Sequence, residues 1–168
     1  MSSLRPLYFA YGSNMSPRQM ARRCPGSRAI GRAVLADWSF IINTRGAANI
    51  VPADGLVVHG VLWRIDPGHL GVLDEWEGTA HRIYIRRTLV VHLDCGRQRL
   101  AFTYVSPQRR EGRPKPGYLA TAVLRGAKAF ALPAHVLDEL AGWQPERPIG
   151  ESRRAYLGQR TRKRSRTA

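Results

Sequence analysis

Acidic residues are scarce in this chain: 12 Asp and Glu stand against 27 Lys and Arg over 168 residues, a formal charge of +15. A surplus of that size raises nucleic acid or another anionic surface as a partner. The surplus is uneven, since Glu151 to Ala168 holds seven basic residues and one acid. Cysteine is nearly missing. Cys24 and Cys95 are the two present, neither lies in a CxxC, and His92, three positions before Cys95, makes one pair and not a zinc set. A disulfide framework and a structural metal are therefore excluded from the reading, and a reduced compartment is expected. Long apolar runs are also lacking. None approaches the roughly 20 residues of a membrane-spanning helix, and Leu7 to Tyr11 is too short for the core of a signal peptide. The expectation is a cytoplasmic protein with no membrane partner, no metal and no cofactor; nothing here resembles a nucleotide-binding motif.

What the chain does contain is concentrated near its start. Leu7-Tyr8-Phe9-Ala10-Tyr11-Gly12-Ser13-Asn14-Met15 reads as a short apolar strand entering a tight glycine-containing loop. Ser16-Pro17 follows, a helix start with Ser16 as the cap and Pro17 in the first turn. A strand that turns so abruptly into a helix leaves backbone N–H groups unpaired on one side of the loop. Such a loop suits an anion or a polarised carbonyl, and an ordinary strand-to-helix turn fits the same residues.

The remainder is mixed. Pro17 to Cys24 is expected to be a short helix, and Ala29 to Asn43 one long bent strand or two short ones around Asp37. Thr44 to Gly55 reads as a loop with a short apolar island, and Val57 to Ile65 as a buried strand. Arg82 to Leu93 and Arg99 to Val105, flanking Asp94-Cys95-Gly96, make a hairpin. Ser106 to Gly117 is a proline-rich basic loop. Helices are expected over Tyr118 to Phe130 and Ala134 to Trp143. Prolines and charge then mark the end of one domain, residues 1–148, with 149–168 a basic, disordered tail.

Asp66-Pro67 is a second helix start, for a helix running through Leu70, Leu73 and Trp76 to Gly78. At about 100° per residue, Glu77 falls between Leu70 and Leu73 on the inward face. Asp74 lies at the edge of that face, placed to partner it or to meet water. A carboxylate aimed inward, in the last helical turn, has its pKa pushed upward by desolvation and by the helix dipole. That suits a proton carrier; a salt-bridged structural Glu, or a shorter helix leaving Glu77 in water, fits the position too.

Together, Tyr8-Phe9-Ala10-Tyr11-Gly12-Ser13-Asn14-Met15, His59-Gly60-Val61-Leu62-Trp63 and Leu73-Asp74-Glu75-Trp76-Glu77-Gly78 resemble the γ-glutamylcyclotransferase family, also called AIG2-like. Tyr84, Pro116-Gly117-Tyr118, Gly126-Ala127 and Leu132-Pro133 continue the resemblance in order. It implies an α+β fold, a small mixed β-barrel with surrounding helices. It further implies a loop, Tyr11, Gly12, Ser13, Asn14 and Met15, that holds a γ-glutamyl group, with Tyr84 and Tyr118 near the substrate and Glu77 as the catalytic acid and base. The reaction implied is release of 5-oxoproline and a free amine from a small γ-glutamyl compound. The alternative is a catalytically idle domain whose basic surface and tail bind nucleic acid. Neither the released amine nor the oligomeric state is readable from the residues.

Overall fold

The structure is a computed structural model, and it describes residues 5–143. The basic tail and the boundary at residue 148 lie outside those residues. Five strands close into a barrel in the order β1-β3-β2-β4-β5: β1 Leu7–Ala10, β2 Arg28–Ile42, β3 Ala48–Arg64, β4 Ile85–Leu93 and β5 Gln98–Val105. Four α-helices accompany them among the described residues: α1 Pro17–Arg23, α2 His69–Glu77, α3 Leu124–Ala129 and α4 Ala134–Ala141. The α+β barrel expected from the resemblance is the observed architecture. In the described residues no helix is long and apolar enough to cross a membrane.

A β2–β3 hairpin forms the main frame. Its strands pair antiparallel from Ile42↔Ala48 to Arg28↔Arg64, with register shifts at Gly31 and Asp37. Asp37 takes φ 63°, and its carboxylate accepts the Gly55 N–H at 2.9 Å. Between Ala29 and Gly31 β2 carries one extra residue, whereas between Ala36 and Trp38 the single residue Asp37 faces residues 53–56 of β3, and both irregularities bend the pair. The long bent strand around Asp37 is thus a single strand with a bulge. The loop expected over 44–55 is instead strand from Ala48 onward. Pro52 and Gly55 are tolerated because this part of β3 is paired with β2 on one side only.

Barrel closure depends on the short β1. Leu7 to Ala10 pair antiparallel with Arg64 to Val61 of β3, and Tyr8 bridges in parallel to Phe102 of β5. Alternation along β1 and β5 stacks Tyr8 on Phe102, ring centroids 5.1 Å apart. Phe9, Met15, Met20, Leu62, Ile65, Leu73 and Trp143 are fully buried. Helix α3 packs against the loop after β1 through Gly126: a Cβ there would stand 2.6 Å from the Ser16 nitrogen.

Several element boundaries differ from expectation. Helix α2 starts at His69, after a turn closed by His69 N–H to the Asp66 carbonyl at 2.9 Å. The Asp66 carboxylate is engaged by Arg5 at 3.2 Å instead of capping. At the far end Gly78 adopts φ 64° and stops α2 directly after Glu77, as the sequence implied. A second left-handed residue, Arg82, then reverses the chain, so β4 begins at Ile85 and not at Arg82. The helix expected from Tyr118 opens as a π-helical turn, Leu119–Val123, before α3. Helix α4 ends at Ala141, short of Trp143.

Candidate active site

Where β1 runs out, Gly12 carries the chain into a single 3-10 turn, Ser13–Met15. Met15 N–H donates to the Gly12 carbonyl at 3.0 Å and Ser16 N–H to that of Ser13, also at 3.0 Å. The amides of Gly12, Ser13 and Asn14 precede the first of these bonds, and that of Ser13 interacts with the Tyr118 hydroxyl. Space is tight at position 12: a Cβ would lie 3.0 Å from that of Ala48 and 3.3 Å from the Tyr118 hydroxyl. Ser16 caps α1 by accepting the Gln19 N–H, as its position before Pro17 predicts.

This turn forms one wall of a pocket of about 340 Å³. Glu77, at the last position of α2, lines the same pocket with Tyr8, Tyr11, Ser13, Asn14, Tyr84 and Tyr118. Sixty-three residues separate the two halves in sequence, and a hydrogen bond joins them: Asn14 Nδ2 donates to Glu77 Oε1 at 3.3 Å. The same amide nitrogen donates to the Tyr8 hydroxyl at 2.9 Å. Its Oδ1 accepts from Gln19 Nε2 and from Arg23 Nη1, each at 2.9 Å. The orientation of the Asn14 amide follows from chemistry, since Arg23 can only donate and ionised Glu77 can only accept. Asn14 is buried, and every polar atom of its side chain is used.

Burial raises the Glu77 carboxyl to about 7, and the nearby Arg23 guanidinium opposes that shift. The inward position inferred from the helical wheel is therefore the observed one, with desolvation as the leading cause. Asp74 is not its partner. The Asp74 carboxylate accepts from the Tyr104 hydroxyl at 2.7 Å and pairs with Arg86 at 3.1 Å, which ties α2 to β5 and β4 one turn before Glu77. Arg23 in turn lies over the Trp76 ring at 4.3 Å. That contact accounts for a tryptophan left 63% exposed beside the pocket.

The two tyrosines implied by the resemblance both line the pocket, and their hydroxyls peg one residue from opposite sides. Tyr84 donates to the Ala48 carbonyl at 2.6 Å, while Ala48 N–H donates to the Tyr118 hydroxyl at 3.2 Å. Burial holds both phenols above their ordinary pKa, so they remain neutral donors. Tyr11 is buried on the pocket wall and donates to the Tyr104 carbonyl. Met15 departs from expectation. It is fully buried in the core and does not line the pocket, because the 3-10 turn points it inward under α3.

Sequence reading missed the cationic rim. Arg23, Arg45 and Lys115 all line the pocket, as do Tyr8 and Tyr104. Tyr8 sits in β1, where two-residue alternation puts it beside Phe102 of the neighbouring strand, a signal present in the residues. Arg45 and Lys115 belong to two loops joined by Lys115 N–H to the Gly46 carbonyl at 3.0 Å, and no local pattern pairs those loops. Among the described residues, no group of three or more His, Cys, Asp or Glu side chains is arranged to hold a metal ion.

Residues 57–140 match the model of the AIG2-like family. The γ-glutamylcyclotransferase of Homo sapiens is 27% identical over 155 residues, covering 86% of this chain and 82% of the human protein. That of Bos taurus is 27% identical over 149 residues, covering 83% and 79%. A solved γ-glutamyl cyclotransferase superposes with a TM-score of 0.78 at 25% identity, over 92% of this chain and 98% of its own. The crystal structure of an uncharacterized Homo sapiens protein gives a TM-score of 0.79 at 27% identity, covering 89% and 94%.

Proposed function

The chain belongs to the AIG2-like family, and from that premise we propose that it is a γ-glutamylcyclotransferase-type enzyme, releasing 5-oxoproline and a free amine from a small γ-glutamyl compound. One observation carries the reading. A carboxylate with its pKa near 7 faces, across a small pocket, a turn whose first amides are not used in its own hydrogen bonds.

In a γ-glutamyl compound the attacking nitrogen and the carbonyl belong to the same molecule. The protein has to hold the bent conformer and move protons, and intramolecular attack in a held geometry is worth up to about 7–11 kcal/mol. The new C–N bond closes the five-membered lactam and the old C–N bond breaks to free the amine. The α-ammonium first gives up a proton to recover its lone pair. As the ring forms, Glu77 takes the next proton from the attacking nitrogen and delivers it to the leaving nitrogen. The oxyanion that develops on the carbonyl meets the amides of the Gly12 to Asn14 turn, donors fixed before the reaction starts. Asn14 keeps the Glu77 oxygen aimed through its 3.3 Å bond, and Tyr84 and Tyr118 hold the wall against which the acyl chain lies. Met15 has no part in contacting substrate.

The experiment is a panel of γ-glutamyl amines, amino acids and peptides, assayed for 5-oxoproline. At least one should release it at a rate proportional to protein. Ionised Glu77 is the competent form at the start, so kcat/KM should rise with pH through a limb centred near 7. The substrate ammonium adds a second limb at higher pH, the same in any variant. A panel with no 5-oxoproline formed at any pH between 6 and 9 would rule the proposal out.

A further inference from the structure

A second cleft, of about 260 Å³, lies between α1 and the Leu119–Ala129 helical segment, lined by Ser16, Arg18, Gln19, Arg22, Thr121 and Arg125 together with Ala122. We propose that it is a binding site for a small multivalent phosphate anion, of which pyrophosphate is the simplest. The inference does not rest on the cyclotransferase reading, and either can fail alone.

Positive charge gathers here on fixed backbone, and the cleft lining supplies no counter-charge. Arg18 and Arg22 are four residues apart on α1 and so share one face. Arg125 is brought beside them by its neighbour Gly126, where a Cβ would stand 2.6 Å from the Ser16 nitrogen and 2.7 Å from the Met15 carbonyl carbon. The two backbones cannot come closer, and no side chain intervenes. Three guanidiniums therefore edge one concave surface that contains no acidic residue. The ion pairs Arg5–Asp66, Arg32–Asp94 and Arg86–Asp74 involve none of these three arginines. Like charges gathered in this way repel, and an anion in the cleft removes that cost. Guanidinium presents a planar fork of N–H donors matched to phosphate oxygens. The Ser16 and Thr121 side chains add hydroxyl oxygens to the lining, although Ser16 Oγ accepts the Gln19 N–H and Thr121 Oγ1 donates to the Gly117 carbonyl at 2.7 Å. A ligand with two adjacent phosphate groups carries enough charge for three arginines and is small enough for the cleft.

The test is calorimetric titration of the full chain with pyrophosphate at near-physiological salt. Saturable binding of one anion per chain is expected. It should weaken at least tenfold in the double variant Arg22→Gln/Arg125→Gln. It should stay within twofold in Arg87→Gln/Arg99→Gln, which removes the same charge from β4 and β5. All four side chains are exposed, so both variants should keep the parent's circular-dichroism melt. Absence of pyrophosphate binding overturns the proposal, as does equal weakening in both variants, which would reduce it to net charge. Binding that survives in the cleft variant puts the anion elsewhere, the cationic rim of the main pocket included, and overturns it too. A parallel titration with a single-stranded oligonucleotide completes the set. Oligonucleotide binding without pyrophosphate binding would make this a polymer surface and reject a small-anion site.

Discussion

Glu77→Gln is expected to lower 5-oxoproline release by about a hundred- to ten-thousand-fold, the usual range for loss of a positioned proton carrier. The substitution preserves shape, and the Gln side-chain oxygen can still accept from Asn14 Nδ2, so the network through Tyr8, Gln19 and Arg23 stays satisfied. KM should change little, because the side chain is assigned to proton transfer and not to holding the acyl group. Stability supplies an independent readout. The Glu77 carboxyl is raised from 4.5 to about 7 by burial. A group raised on folding contributes its full stability below the unfolded value and loses it as pH climbs through the folded one. The parent should therefore lose up to about 3 kcal/mol between pH 4.5 and 7, at about 1.4 kcal/mol per unit. Gln carries no such slope. Melting curves should accordingly show the variant gaining on the parent between pH 5 and pH 8, and the pH 7 limb of kcat/KM should vanish with the activity. Undiminished turnover in this variant would falsify the role assigned to Glu77.

Gly60→Ala should cost about 3 kcal/mol, the upper part of the overpacking range, and lower Tm by roughly 10 °C. The added Cβ would sit 2.4 Å from the Ala10 carbonyl oxygen and 2.7 Å from the Phe9 ring. The obstacle is the backbone of β1, which has strand partners on both sides and cannot withdraw. Ala10 also leads directly into Tyr11 and Gly12, so activity should fall along with stability. Gly71→Ala makes the same chemical change at an exposed position within α2, where a Cβ meets nothing within 4 Å. There the higher helix propensity of alanine should raise stability by about 0.5–1 kcal/mol. Opposite signs from one substitution separate crowding at the barrel seam from the general effect of removing a glycine. Equal melting temperatures for Gly60→Ala and the parent would show that β1 can move away from β3.

Much of the site was legible because its signals are local. Ser16-Pro17 starts a helix and Gly78 stops one through rules that operate within a few residues, and both act as read. Three-residue spacing from Leu70 to Leu73 was enough to turn Glu77 inward, since side-chain direction on a helix is set by the backbone alone. The family resemblance supplied the barrel, which strand patterns by themselves do not close. What misled were signals that compete over distance. Asp66 has the form of a cap, but Arg5 lies beside it in the fold and takes its carboxylate. Residues 44–55 have loop composition, but pairing with β2 holds 48 onward as strand. Met15 falls within the loop motif, yet core packing under Gly126 draws it away from the pocket.

By itself the chain determined the type of most elements, the inward carboxylate, the donor-rich turn after β1 and the family to which both belong. Those depend on short-range periodicity, caps and glycines, which need no knowledge of what lies across the molecule. Only tertiary structure decided that Asn14 touches Glu77, that Asp74 is spent on Tyr104 and Arg86, and that Tyr84 and Tyr118 both hold Ala48. The same is true of the arginines meeting across α1 and α3. Each of these joins residues distant in sequence, and barrel closure and helix docking alone set their separation.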